Sequence, residues 1–433
     1  IEVSLDGNIV SPTHYSWNAS YGRSLPKGMY FEASYVGRRA RNLFATRDVL
    51  ALNNLVDPAS GMDWYTAAGI LHDARAADTP ITSLAAIPYF ENLFPNAMAA
   101  LSVFGLPANN NTQAIYGLVA RDGFDILDWT FVQLIIDDAT EFGLPVNPGR
   151  YPNMFFHPQY AAFSSYGTTA YSDYHGGSFS LRQRLGKTLS YDINYTLSKS
   201  IDNASGLQTG ASYGSQFILN ALRPDDNRAP SDFDTRHVVN GNFMLQLPIG
   251  RDQAYFSNMN RALDAVIGGW ALRGIYRWNS GQPISSPFDQ AQWATNWNVQ
   301  SNSTRIRPVT FGVNRNTQNV FSNPQQAFQS FRNARPGETG ERNSFRLPGY
   351  QVLDLGLSKT FKMPWGEDHK FEFRFEVFNV TNVQYFSAGG ATRTTYGLPQ
   401  DPETGTAPSN FGKLYDDIQG KPRSVQFGFR YSF

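Results

Sequence analysis

The residues of this sequence that could do chemistry fall into three sets, and spacing decides what each can do. The six histidines, His14, His72, His157, His175, His237 and His369, are scattered, with no i,i+4 pair and no cysteine anywhere in the chain. Zinc needs three or four converging nitrogen or sulfur ligands, so this distribution argues against a zinc centre. Asp225, Asp226 and Asn227, with Asp232 and Asp234, offer the oxygen ligands that calcium accepts. They lack the spacing of an EF-hand, and solvated loop carboxylates are the plainer reading. Phe288, Trp293 and Trp297 stand among Asn and Gln residues. Such a set can hold a sugar or a peptide by ring stacking and amide hydrogen bonds, although ordinary loop aromatics look the same. No phosphate loop or dinucleotide fingerprint occurs. No catalytic constellation, and so no enzyme activity, cofactor or metal, is expected.

A further set of charges is defined by its neighbours. Arg182, Arg184, Arg273, Arg277, Glu372, Arg374, Glu376 and Arg430 sit at alternate positions in segments whose intervening residues are mostly apolar or aromatic. Side chains alternate faces at a period of two along a strand, so these charges share the polar side of a sheet. The clearest segment is the last. Val425, Phe427, Phe429, Tyr431 and Phe433 fall on one side; Ser424, Gln426, Gly428, Arg430 and Ser432 fall on the other. A soluble sandwich could bury such an aromatic side. An outer-membrane barrel would instead turn it to lipid and turn the polar side to a wet lumen.

Composition narrows the choice. The chain has 433 residues, formal net charge +0, 37 glycines and 14% aromatic residues. Balanced charge without a basic cluster argues against a nucleic-acid surface. Absence of cysteine excludes a disulfide framework and thiolate chemistry. No stretch reaches the roughly 18 apolar residues of a spanning helix; the richest, 81–106, is broken by Pro88, Glu91 and Pro95.

Periodicity and turn residues place about ten strands. They include Thr13–Arg23, Gly28–Arg38, Ser172–Leu185, Thr188–Ser200, Thr235–Pro248, Gly268–Ser280, Tyr350–Phe361, Lys370–Asn379 and Pro422–Phe433, with a further short remnant at Ile1–Leu5. The connections at 24–27, 186–187, 249–267 and 362–369 are short or moderate. Those at 39–171, 201–234, 281–349 and 380–421 are long, and the two classes strictly alternate. Outer-membrane barrels have short periplasmic turns and longer extracellular loops, so the expected fold is all-β, a transmembrane antiparallel β-barrel. The 39–171 insertion is too long for a plain loop and should carry structure of its own, making the barrel's extracellular loop partly helical. Met62–Arg75 and Asp125–Phe142 have helical apolar spacing, and Asp78 before Thr79 and Pro80 suggests a capped helix start. Leu127, Phe131, Leu134 and Ile135 make an apolar stripe. It serves either a surface partner protein or, with more weight, the core of a loop subdomain.

Several stretches resemble the C-terminal half of TonB-dependent outer-membrane receptors, particularly the Oar-like group with a carboxypeptidase-regulatory-like N-terminal domain. They are Tyr195-Thr-Leu-Ser-Lys-Ser-Ile-Asp202, Asp232-Phe-Asp-Thr-Arg-His237, Gly268-Gly-Trp-Ala-Leu-Arg-Gly-Ile275 with Trp278-Asn-Ser-Gly-Gln-Pro283, Gly349-Tyr-Gln-Val-Leu-Asp-Leu-Gly-Leu-Ser-Lys359, Phe375-Glu-Val-Phe-Asn-Val-Thr-Asn382 and the terminal strand. The likeness covers roughly 172–433; before that it rests chiefly on residues 21–36. It implies part of a barrel of about 22 strands with a plugged lumen, in the outer membrane of a Gram-negative bacterium. It implies uptake of an extracellular ligand, energised by the TonB complex.

On this reading 1–433 is the C-terminal part of the barrel. The plug, the signal peptide and the N-terminal half are expected elsewhere in the same protein or in another chain. Phe427, Phe429, Tyr431 and Phe433 resemble the signal read by the barrel-assembly machinery. Arg182, Arg184, Arg273, Arg277, Glu372, Arg374, Glu376 and Arg430 would line the lumen and contact the plug. Phe288, Trp293 and Trp297 would belong to ligand-collecting loops. Membrane lipid and lipopolysaccharide are the expected surroundings. Two other readings stay open: a complete small porin-like barrel or surface enzyme, and an outer-membrane adhesion or export scaffold.

Overall fold

Nine long strands lie side by side in chain order: β1 Thr13–Leu25, β2 Met29–Asp48, β3 Phe163–Leu185, β4 Leu189–Asp202, β5 His237–Gln246, β6 Trp270–Asn279, β7 Tyr350–Lys362, β8 Lys370–Phe378 and β9 Ser424–Ser432. All neighbouring pairs are antiparallel and belong to one sheet. The computed structural model describes the chain except residues 1, 51–53, 121–131, 134, 138–153, 156–162, 187, 207–216, 252, 286–300, 315–318, 364, 366–368, 387–403, 410 and 415–417.

The alternation in the sequence becomes two unlike faces. Phe373 packs on Phe429 at 5.5 Å between ring centres and Phe375 on Phe427 at 5.2 Å, all on one side of β8 and β9. Register continues that side through Leu357 and Leu272 to Leu245, Leu189 and Leu185. These side chains have no second layer over them; Phe427 and Phe429 are 60% and 67% exposed. The opposite face is polar. A sandwich would have covered the aromatic side, and its exposure removes that alternative for this wall.

Connections differ at the two ends as the spacing predicts. At one end lie residues 26–28, 186–188, 247–269 and 363–369; at the other lie 49–162, 203–236, 280–349 and 379–423. The first hairpin turns through Lys27 and Gly28, both with positive φ, 61° and 68°. A Cβ on Gly28 would lie 2.9 Å from the Arg184 carbonyl, so this tight turn leaves no room for a side chain.

Two differences from the sequence reading concern the start. Residues Glu2–Leu5 do not extend the wall; they pair in parallel with Phe163–Tyr166 at the far end of β3. The strands β2 and β3 also run well past the expected ends at 38 and 172. A bulge near Asn42, whose φ is 55°, lets the ribbon twist and continue to Asp48 and Phe163.

The insertion between β2 and β3 has its own core. Helices α1 Trp64–Ala76, α2 Pro88–Leu93 and α3 Asn111–Ala120 bury Trp64, Tyr89, Phe90, Phe94, Tyr116 and Phe155 together. Asp63 caps α1 by accepting from Thr66 N at 2.9 Å. Glu91 does the same for α3, accepting from Thr112 N at 2.8 Å and its hydroxyl at 2.6 Å. Burial alone would raise the Glu91 pKa, but the Thr112 and Asn111 donors outweigh it and hold the carboxyl below its usual range. Asp78 does not start a helix as the sequence suggests. It takes a left-handed conformation, φ 50°, after α1 and pairs with Arg75, and only a three-residue turn, Ile81–Ser83, follows.

Candidate functional site

All eight charges read from the sequence lie on the polar face. Register runs from Arg184 through Ser190 and Met244 to Arg273, then through Gly356 to Glu376 and Gln426. Three of them are paired with neighbours. Arg182 meets Glu32 across the β2–β3 pair at 3.6 Å and stands 5.4 Å over the Tyr30 ring. Glu372 and Arg374, two apart on β8, form a bidentate pair at 2.9 and 2.8 Å. Arg430 faces Glu372 in register.

Between these pairs, β4, β5 and β6 form a trough of about 530 Å³. Ser190, Asn194, Asn240 and Asn242 make its floor, and Arg273 and Arg277 stand along one side. Amides and guanidinium groups facing open space suit a carboxylate-bearing or otherwise polar surface.

The long loops above are tied to one another by ion pairs. Arg342 donates to Asp202 Oδ1 at 2.8 Å, to Asp232 Oδ1 at 3.3 Å and to the Asn227 carbonyl at 3.1 Å. Asn343 also donates to Asp232, at 2.7 Å. Arg346 pairs with Asp234, whose other oxygen accepts from Ser200 N at 2.6 Å. Within the cluster Asp225 to Asp234, Asp232 and Asp234 are therefore not simply solvated: arginines occupy them. Among the described residues no group of His, Asp and Glu could hold a metal. Arg335 reaches Asp73 of α1 at 2.8 Å, and Arg223 lies 5.6 Å over the Tyr65 ring while donating to the Gly337 carbonyl at 2.7 Å. Three long connections thus form one body. A further aromatic core, with Phe321 stacked on Phe411 at 5.1 Å, joins 280–349 to 379–423.

Phe288, Trp293 and Trp297 lie outside the described residues, as do Leu127, Phe131 and Leu134 of the expected stripe. Ile135 packs against the core of the insertion. Arg342, Arg346 and Lys359 carry geometry that the sequence reading passed over. Only Lys359 left a signal, because it occupies an outward position after Leu353, Leu355 and Leu357.

The profile of the outer membrane beta barrel domain family matches residues 3–426, nearly the whole chain. The chain belongs to this family. Its aromatic face accordingly meets the hydrocarbon of a Gram-negative outer membrane and its polar face the lumen. No curated protein matches the sequence. Among solved structures it resembles the outer membrane transporter YddB from Escherichia coli, at 9% identity and TM-score 0.33 over 98% of this chain and 32% of that one. It also resembles the FrpB iron transporter from Neisseria meningitidis (F3-3 variant), at 8% identity and TM-score 0.35 over 100% and 33%. The chain spans about a third of the length of these structures.

Proposed function

We propose that this chain is the C-terminal part of a TonB-dependent-type importer of the Oar-like group, in which further strands complete the barrel. The observation that carries the reading is the division of labour along each strand. The lipid-facing side is aromatic, the lumen side holds charges and a trough, and one end carries large loops with packed cores. A pore that only passes solutes needs no such loop body, whereas a receptor needs a stable surface to select its ligand. In this reading Arg273 and Arg277, with Glu376 and Arg430, grip a plug. The 39–171 subdomain and the 280–349 loop, including Phe288, Trp293 and Trp297, face outward and collect the ligand. The terminal aromatics Phe427, Phe429, Tyr431 and Phe433 present the assembly signal.

The test uses the whole receptor in cells. A panel of peptides, glycans and chelated iron is screened for uptake with and without a protonophore, and again after deletion of 49–162. Uptake that stops with the protonophore and falls at least tenfold with the deletion supports the proposal. Solute exchange indifferent to the protonophore would mean a porin; surface binding without uptake would mean a scaffold.

A further inference from the structure

The connection between β5 and β6 is out of proportion to its neighbours at the same end. It contains helix α4, Arg261–Ile267, capped at its start by Asn260, whose side chain accepts from Leu263 N at 2.7 Å. No residue of α4 is buried. Leu263, Val266 and Ile267 form an i, i+3, i+4 stripe with 45%, 65% and 38% exposure, and Tyr255 and Phe256 of the same connection are 62% and 68% exposed.

The helix does not hang free of the wall. Trp270, on the lipid-facing side of β6, donates its indole N–H to the Val266 carbonyl at 2.9 Å. Lys359 extends from the same side of β7, opposite Trp270 in register. Its amine donates to the Asp264 carbonyl at 3.0 Å and to that of Gly268, at the C-terminal end of α4. It also lies 5.1 Å from the Phe361 ring centre and 5.7 Å from that of Trp270. Lysine on a lipid-facing position is costly unless its charge is met, and a helix C-terminus meets it with carbonyls of matching polarity. The connection therefore folds back over the outside of the barrel, where lipid begins.

We propose that residues 253–269 form a membrane-interface hook, with the Leu263–Val266–Ile267 stripe sunk into the headgroup and acyl boundary of the periplasmic leaflet. Its occupant is phospholipid, because the stripe continues the lipid-facing wall at Trp270 and lies at the short-turn end, which barrels turn to the periplasm. Lys359 is the positioning residue that holds the hook to the wall, and the hook fixes the depth of this part of the barrel. The proposal stands on the barrel fold and not on what is transported.

The test reads depth directly. The full receptor carrying Val266→Cys, labelled with bimane, is placed in phosphatidylethanolamine–phosphatidylglycerol vesicles with or without lipid brominated near the headgroup. At least twofold quenching by brominated lipid, with little by aqueous iodide, is expected; Thr188→Cys, in the tight turn, should show the reverse. If Val266→Cys behaves like Thr188→Cys, the hook lies in water and the proposal fails. Adding Lys359→Met should at least halve the lipid quenching while the barrel keeps its heat-dependent gel shift. Unchanged quenching would overturn the tether. If Lys359→Met does not assemble, Trp270→Phe, which removes the indole bond to Val266 and keeps an aromatic ring on the wall, gives the same reading.

Discussion

Arg342 and Asp202 meet at 2.8 Å across 140 residues of sequence, with both side chains under a twentieth exposed. Asp202 ends β4, whereas Arg342 belongs to the long connection before β7. The pair therefore fastens a loop to the rim of the wall. Removing one member of a buried pair leaves the other charged and without its partner, which typically costs about 3–5 kcal/mol. Arg342→Met is expected to open the 203–236 and 280–349 connections to protease while the wall keeps its gel shift. Arg342→Lys should rescue only in part, since an ammonium cannot reproduce the fork that serves Asp202, Asp232 and two carbonyls together.

Trp64 is fully buried among Tyr89, Phe90 and Phe155, with ring centres 5.0–6.3 Å away. Trp64→Ala should destabilise the insertion by about 3–5 kcal/mol through lost burial and a cavity. Because this core is separate from the strands, near-ultraviolet circular dichroism should lose the insertion's share of the aromatic signal while far-ultraviolet β-signal persists.

Acid should loosen the same insertion. Burial is the main cause that pushes His72 down to about 4 from an ordinary 6.5; nearby Asp73 opposes this, and Arg335 and Arg332 assist it. The unfolded insertion then binds more protons than the folded one between those values, so stability is full above about pH 6.5 and falls as pH drops toward 4. The loss is bounded at about 3 kcal/mol. His72→Gln should flatten that part of the profile, as measured by protease resistance against pH.

Phe429 and Phe433 should matter for assembly more than for the finished barrel. Phe433 is 89% exposed and contacts Tyr431 at 6.1 Å, so its packing contribution is small. Phe429→Ser with deletion of Phe433 is expected to lower the outer-membrane level of the receptor severalfold. The fraction that does assemble should unfold at nearly the same temperature. Equal levels would remove the assembly role.

Arg273 and Arg277 are exposed on the lumen side, and surface changes of this kind usually alter stability by less than about 0.5 kcal/mol. The double variant Arg273→Glu, Arg277→Glu should therefore assemble normally. Uptake in the energised cell should fall at least tenfold if the trough grips a plug. Wild-type uptake would remove that contact from the proposal.

The wall was legible because each physical demand on it is local. Phe371, Phe373 and Phe375 between Glu372, Arg374 and Glu376 announce two faces with a period that no helix shares. Gly186 marks a short turn, and the alternation of loop lengths orders the strands. What escaped was set by distance. Nothing near Arg342 in sequence names Asp202 or Asp232, so the acids of that loop looked solvated or calcium-ready when they were already paired. Asp78 looked like a cap because its residue type suits one, yet the chain beyond α1 needed a left-handed position there. The long ribbon of β2 and β3 runs past the expected ends at Arg38 and Ser172. Nothing near Arg41 in sequence names its partner Asp173, which it meets at 3.0 Å across the two strands.

That ribbon sets a height. Strand β2 has 20 residues, which at about 3.3 Å each and a tilt of about 40° rise roughly 50 Å along the membrane normal. The hydrocarbon layer takes about 30 Å of this. If the long loops face outward as proposed, the insertion would be carried on a stalk above the hydrocarbon layer. On the proposed receptor reading, first encounter with a ligand would then happen well above the membrane surface.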